Sequence, residues 1–576
     1  MAFCASAPSF RCRLIGAHRR TAPSKPSPRR CLLLPTRCTA QIPSPRRSAN
    51  YQPSSWSDEY IQSLRNDTEV QEDNARRTGK LTEDVKQLIY MKKGIEDQLQ
   101  LIDHLQQLGV SYHFKEDIKD ALWTIYRSME EVNTLLKDNL HAMALMFRLL
   151  REHGFAVSEG VFNRFIVEKG NLKASLRHQT EGLVSLYEAS HLAQEGEHVL
   201  EEAINFTTKQ LKSLMEGSLE PHLRKHVAHA LELPLNWRMP RLQTRWFIEA
   251  SQREAKMNPV LLELAKLDFN RVQSIHQREL REVSRYFELA LLESCHTKAN
   301  CLITTIDDVY DVYGTMDELE LFTDAVDRWD VNATGKLPEY MKICFIALFN
   351  TTNDTTYNVM KEKGLYIIPH LKKALTYRSH PPSFFHFLNS ATLGFSGQMY
   401  ARHTWWKQGG GSTRATHPFL EEYLENALLS VSGPLILTLA YCTSDDVSQE
   451  TLEDFHSCPE IARRSSMILR LCDDLGTSKD ELERGDVSKS IQCCMHESSL
   501  SEYATREYIG RLIRENWRAI NGDRSFTSCF EENLKMIAID IPRMAHCMYQ
   551  YGDGYGKPDG VIEDRIRSLL IEPILL

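Results

Sequence analysis

Apolar residues fall at helical spacing along most of this chain. From Leu88 to Leu108, Ile95, Leu99, Ile102, Leu105 and Leu108 recur at three and four, and Gly109 closes the run. Similar patterns cross Leu135 to Leu150 and Leu183 to Leu211. Strand-like alternation is scarce, so the pattern predicts an all-α fold. Leu233-Pro234-Leu235-Asn236-Trp237-Arg238-Met239-Pro240-Arg241 places two prolines and a polar break between helical stretches. This divides the chain into a helical domain over residues 46–243 and a second over 244–576. Within the second, Ser430-Val431-Ser432-Gly433-Pro434 interrupts an apolar helix. Such a break frees backbone carbonyls for a ligand or marks a packing kink, and the pattern leaves both open. Near the end, the glycine-rich run Tyr549 to Gly560 has the composition of a lid.

Two of the apolar runs lead into carboxylates. Leu302-Ile303-Thr304-Thr305-Ile306 is followed by Asp307, Asp308 and Asp311. On a helix Asp307 and Asp311 share a face, with Asp308 beside them. Three such carboxylates repel one another unless a cation compensates them, and Mg²⁺ takes oxygen ligands of this kind. In the second run, Leu471-Cys472-Asp473-Asp474-Leu475-Gly476-Thr477 and onward, Asp473, Thr477 and Glu481 form a stripe of oxygen ligands at i, i+4 and i+8. The first cluster alone reads equally well as a solvated turn of helix, and the second alone reads better as an ordinary charged helix end.

Composition adds a targeting segment and removes several function classes. The chain has 576 residues, 42% hydrophobic and 25% charged, which is a globular composition. The first acidic residue is Asp58, and residues 1–45 are rich in Arg, Ser and Pro. Their longest aliphatic run, Leu32 to Leu34, is too short for a secretory signal, so they read as an organellar transit peptide. Without them, 61 basic residues face 77 acidic ones, a net charge of −16 that disfavours nucleic-acid binding. No run of 18 apolar residues occurs, so no membrane span is expected. Four of the 14 cysteines lie in the leader and the rest are scattered without a C-x-x-C pair, which argues against a disulfide framework or a zinc site.

The wording of the two acidic runs, with Ser490-Ile491-Gln492-Cys493-Cys494-Met495 after the second, resembles the metal-binding motifs of class I terpene synthases, in particular plant monoterpene synthases of the angiosperm type. Arg46-Arg47, eight residues and then Trp56 are similar to that family's N-terminal element. The resemblance implies an N-terminal α-barrel-like domain that braces a class I α-bundle, a plastid stromal location and a monomer. It implies Mg²⁺ or Mn²⁺, three ions with substrate bound, held by Asp307, Asp308, Asp311, Asp473, Thr477 and Glu481. Arg46, Arg47, Asp307, Asp311, Arg470 and Lys489 would meet the diphosphate of geranyl diphosphate. Arg470, Asp553 and Tyr555 match positions with catalytic roles, and the carbocation would sit in an apolar, aromatic-lined pocket.

Several features bear on rival readings. No Asp-x-Asp-Asp sequence occurs in the first half, so cyclisation initiated by protonation has no acid to carry it. A chain-elongating prenyltransferase would show a second Asp-Asp-x-x-Asp where Thr477 and Glu481 stand. Between Arg285 and Thr297 about 30 residues of the family pattern, including an Arg-x-Arg clamp, are missing, a helix of about 45 Å. Thr376 to Thr404, with Pro381-Pro382 and Gly394, also departs from the pattern. The alternatives are therefore an impaired family member and, from another class, a non-enzymatic helical scaffold.

Overall fold

A computed structural model describes residues 56–576 apart from 65–67, 92–93, 166–175, 177–178, 253–256, 287–294, 376–418, 445–446, 451, 453–459, 484–488, 524–531, 557 and 559. Every described element is helical. No described helix is long and apolar enough to cross a membrane. Arg46, Arg47 and the Thr376–Thr404 departure lie outside the described residues.

Each of the three periodic stretches spans two helices. Leu88 to Leu108 spans the end of helix Thr68–Met91 and the whole of Ile95–Gln107, with Gly94 as the extended N-cap of the second. Leu135 to Leu150 is split by Asn139, whose side chain accepts from the Ala142 amide and caps helix Leu140–Glu152. Leu183 to Leu211 is divided between Thr180–Ser190 and His198–Glu216, with Gly196 at φ +83° in the turn. Apolar spacing reports which side faces the core, so it persists across a turn that returns the chain to the same core.

The first core joins Leu99, Ile102, Phe114, Met143, Phe147, Leu150 and Phe162 with Ile248, Leu264 and Phe269 and with the C-terminal Leu569, Leu570 and Ile574. Buried residues from beyond position 243 thus belong to it. A second core gathers Leu437, Ile468, Leu471, Trp517, Ile537 and Ala545, and a third gathers Ile306, Val309, Tyr310, Phe322 and Phe345.

The segment around Leu233–Arg241 is a bolted joint. Arg238 is buried, contacting Glu188 at 3.0 Å and donating to Leu233 O and Gln243 Oε1. Asn521 donates to the carbonyls of His191 and Ala193, and Arg543 donates to Asn236 O. His546 lies parallel to the Trp237 ring at 5.0 Å and accepts from Trp517 Nε1 at 3.1 Å. These contacts fix the first half against helices Glu502–Asp523 and Glu532–Tyr549, which share a core with helix Glu460–Glu483, the carrier of the second acidic run.

Candidate active site

The first acidic run changes helical pitch as it passes its carboxylates. Helix Cys295–Asp308 is followed by a π-helical turn, Val309–Tyr313, closed by the Gly314 amide donating to Val309 O at 2.7 Å. Single π-turns are rare and are concentrated at functional sites. A β-carbon at Gly314 would lie 2.6 Å from Val309 O, so this closure requires glycine. Ile306, Val309 and Tyr310 are buried, and Tyr310 bonds to Thr323 Oγ1 at 2.9 Å. Asp307 is exposed and Asp308 half-buried. Asp311 lies in the π-turn, and its side chain is outside the described residues.

Helix Glu460–Glu483 holds the second run, and here the chain supplies its own countercharges. Arg470, buried, pairs with Asp473 and with Asp474 at 2.7 Å. Lys489 Nζ stands 3.2 Å from Glu481 Oε2. Burial pushes the Glu481 carboxyl upward, but Lys489 and Arg470 outweigh it and hold it below the usual carboxylate range. Thr477 is buried and donates to Asp473 O at 2.9 Å. Asp474, the most buried carboxylate of the run, also accepts from Tyr423 Oη at 2.9 and 3.0 Å and from the Ser490 amide at 3.1 Å. Its bonds orient Arg470 and fasten the helix that follows Lys489. Nothing in the spacing separated Asp474 from Asp473, and Tyr423 is too distant in sequence to be noticed.

The glycine-rich run near the C-terminus lies directly over the second motif. A β-carbon at Gly476 would meet Gly552 O at 2.9 Å and Tyr549 Cβ and O at 3.0 Å. Asp553 accepts from the Tyr555 amide at 3.1 Å and the Gly556 amide at 2.6 Å, an Asx-type turn that shapes the loop. Tyr555 donates to Met544 Sδ, and its ring lies 5.8 Å from that of Tyr549. Burial pushes the Tyr549 hydroxyl well above its usual pKa, helped by Tyr555, Asp553 and Asp307 and opposed by Arg470. The fold therefore brings residues from both acidic runs and the loop into one electrostatic neighbourhood, although they are some 240 positions apart.

Beside the first acidic run is an apolar pocket, lined by Leu302, Ile303, Ile306, Leu348, Leu435 and Leu439 together with Thr351, Thr352 and Thr355. Among the described residues its lining is aliphatic and hydroxylic. The interrupted helix forms one side. Helix Leu420–Ser430 stops, Ser432 turns through φ +63°, and helix Gly433–Thr443 begins. A β-carbon at Gly433 would lie 2.3 Å from Ser466 Oγ, so this break also seats the cavity wall closely on helix Glu460–Glu483.

Among the described residues no three His, Cys, Asp or Glu side chains converge on one point. The second run instead offers two carboxylates and the Thr477 hydroxyl. Glu481 Oε2 is buried beside Lys489 Nζ, Arg470 Nη2 is taken by Asp473 and Asp474, and Arg470 Nε is buried without a hydrogen bond. Carboxylate and hydroxyl oxygens suit a hard cation, and a guanidinium donor suits a phosphate.

Residues 55–231 match the family model for the terpene synthase N-terminal domain, and residues 282–380 and 387–519 match that for the terpene synthase family metal binding domain. Monoterpene synthase 8, chloroplastic, of Hedychium coronarium is 48% identical, with 97% of this chain and 98% of that protein covered. The (-)-alpha-terpineol synthase of Vitis vinifera is 46% identical over 560 positions, covering 92% of this chain and 91% of that protein. Since 92% of 576 residues is about 530, about 30 of those positions have no residue here. Among solved structures, limonene synthase with 2-fluorolinalyl diphosphate superposes with a TM-score of 0.80 at 38% identity, covering 92% of this chain and all of that one. Isoprene synthase from grey poplar leaves, in complex with three Mg²⁺ ions and dimethylallyl-S-thiolodiphosphate, gives 0.77 at 37% identity, covering 90% and 99%. The chain belongs to the terpene synthase family and is of its plant monoterpene synthase type.

Proposed function

We propose that this protein ionises geranyl diphosphate in a plastid stroma and converts the resulting cation to a monoterpene, as a monomer. The observation that carries this reading is the second acidic run, whose carboxylates pair with buried Arg470 and Lys489 and on whose Gly476 the Tyr549–Gly552 backbone is seated. Asp307, Asp308 and Asp311 on one side, and Asp473, Thr477 and Glu481 on the other, would hold Mg²⁺ or Mn²⁺, three ions in all with substrate. Bound there, the ions neutralise the negative charge that grows on the diphosphate oxygen as its bond to carbon breaks.

The chain's own residues do the rest. Arg470 and Lys489 pair with the carboxylates of the second run, and in this reading they also supply fixed positive charge to the diphosphate. The bond breaks with its electron pair leaving on oxygen, and the allylic cation remains in the cavity. There the Thr352 and Thr355 hydroxyls donate to the carbonyls of Leu348 and Thr351 one turn earlier. Their protons are thus turned away, and their lone pairs are the polar atoms that face a cation. Aliphatic walls exclude water, which favours loss of a proton to give an olefin over capture of water to give an alcohol.

The test uses purified protein lacking residues 1–45, given geranyl diphosphate with and without Mg²⁺ and analysed for volatile products and released diphosphate. Metal-dependent release with a monoterpene product supports the proposal. Its complete absence, in a folded protein, supports the scaffold reading. A reporter fused behind residues 1–50 that remains in the cytosol would overturn the plastid assignment.

A further inference from the structure

Glu232 stands where helix physics disfavours it. It is the last residue of helix Pro221–Glu232, in the first half of the chain, and a carboxylate at that end opposes the helix dipole. Its partners belong to the other half. Tyr551 Oη donates to Glu232 Oε1 at 2.6 Å, Gln550 Nε2 donates to Glu232 O at 3.3 Å, and Arg565 Nη2 lies 3.6 Å from Oε1. Arg565 also donates to Cys547 O and to Gln550 Oε1, and its guanidinium lies 5.3 Å from the Tyr551 ring centre. Arg565 therefore caps the helix that ends at Tyr549 and backs the ring that reaches Glu232.

The carboxylate is itself held in place. His229 contacts it at 3.7 Å, stacks on Trp246 at 3.8 Å and bonds Gln243 Oε1 at 2.8 Å. The His229 contact, Tyr551 and Arg565 together lower the Glu232 carboxyl to about 2 against the opposing effect of burial. On the far side of Tyr551, Gly552 turns through φ +141° and its carbonyl rests on Gly476, in the middle of the second acidic run. Beyond it come Asp553 and Tyr555. A fixed point at Tyr551, a glycine at positive φ and the loop residues follow one another within five positions.

We infer that Glu232 is a positioning residue for the reaction: through Tyr551 and Arg565 the N-terminal half anchors the base of the Tyr549–Gly556 loop, so that movement is confined to the part beyond Gly552. The N-terminal half then takes part in catalysis by fixing where the loop pivots over Gly476, in addition to bracing the bundle. Exposed pairs of this kind add little to global stability, so the effect should show in the loop and in product choice before it shows in melting.

This inference rests on the proposed reaction for one of its readouts and is independent of it for the other. Glu232→Ala, Tyr551→Phe, the double variant and Glu232→Gln are compared with the parent protein lacking residues 1–45. Hydrogen exchange of the 549–556 amides needs no turnover and should quicken at least roughly fivefold (about 1 kcal/mol) in Glu232→Ala. With geranyl diphosphate and Mg²⁺, the share of acyclic and water-captured product should at least double, while the melting temperature stays within about 2 °C. Glu232→Gln keeps an acceptor for Tyr551 and should restore most of the parent behaviour. The double variant should do no more than either single change. Unchanged exchange in Glu232→Ala, or additive effects in the double variant, would overturn the anchor. A parent protein that releases no diphosphate would instead overturn the proposed reaction and leave the exchange result standing on its own.

Discussion

Gly476→Ala sets two known effects against each other at the centre of the site. The residue lies inside helix Glu460–Glu483, where replacing glycine by alanine ordinarily stabilises by about 0.5–1 kcal/mol. The new methyl group, however, would sit 2.9 Å from Gly552 O and 3.0 Å from both Tyr549 Cβ and Tyr549 O. Two of these atoms are backbone and cannot swing aside as a side-chain tip would. Overpacking of this kind costs about 1–3 kcal/mol, so the clash outweighs the propensity gain and leaves a net loss of about 1 kcal/mol. That lowers the melting temperature by only about 2 °C. The larger consequence is positional. Relief requires the Tyr549–Gly552 backbone to move by a few tenths of an ångström or more, carrying Asp553 and Tyr555 with it. Displacements near 1 Å at a reacting centre cost up to about 100-fold in rate. Turnover of geranyl diphosphate should therefore fall at least roughly tenfold, about 1.4 kcal/mol of barrier. Steady-state kinetics and a thermal melt on the same preparation decide the matter. Turnover within about twofold of the parent, with the melting temperature raised as propensity alone predicts, would refute the close approach and the role given to the loop.

Three further outcomes follow from individual contacts. Asp307→Asn removes one anionic oxygen from the exposed end of the first run and should lower turnover at least roughly tenfold at limiting Mg²⁺, and an unchanged rate would make the run a solvated surface. Asp474→Asn leaves the buried Arg470 with one carboxylate fewer and should cost about 3 kcal/mol in denaturant unfolding, since breaking a buried pair costs about 3–5 kcal/mol; a loss under about 1 kcal/mol would show that Asp473 suffices to hold Arg470. Burial lowers the His546 pKa from the ordinary 6.5 to about 4, so the unfolded chain takes up this proton first and the contribution present above pH 6.5 is lost as pH falls toward 4. His546→Gln, which keeps an acceptor for Trp517, should flatten the fall in melting temperature across that window. His191, also lowered to about 4 by burial, retains its share, so an equally steep fall in the variant would clear His546 of the effect.

The sequence made some of this site readable and hid the rest for identifiable reasons. Both acidic runs were visible because their chemistry is local: Asp307 with Asp308, and Asp473 with Thr477 and Glu481, are neighbours along one helix. The fold class was visible because helical spacing recurs wherever a helix faces a core. Helix ends were not, since Gly94, Asn139 and Gly196 interrupt the backbone without interrupting the apolar face. The joint between the halves read as a polar linker because Arg238 and Asn236 look solvent-loving, and their partners, Glu188 and Asn521, lie about 50 and 285 positions away. The same distance hid Tyr423 on Asp474 and Glu232 under Tyr551. The π-turn at Val309–Tyr313 left no mark in the period either, because a spacing of four keeps Asp307 and Asp311 near one face in both kinds of helix.

The short connection after Arg285 offers a last prediction. Helix Pro259–Tyr286 is followed by helix Cys295–Asp308, so only residues 287–294 join them. The Vitis relative has about 30 aligned positions with no counterpart here, which agrees with a missing segment of helical length. No Arg-x-Arg occurs between Arg285 and Asp307, so Arg470 and Lys489 are the cations placed at the second run to meet a diphosphate. Loss of a preorganised donor costs about 100-fold or more in rate where no other group replaces it. Grafting the corresponding segment of the Hedychium relative between Arg285 and Thr297 should therefore raise turnover at least roughly tenfold and raise the melting temperature, because more apolar surface is buried at about 25 cal/mol per Å². The chimera and the parent are compared with geranyl diphosphate at saturating Mg²⁺. If the parent already turns over about once per second with a clean cyclic product, and the graft changes neither rate nor melting, then Arg470 and Lys489 carry the leaving group unaided.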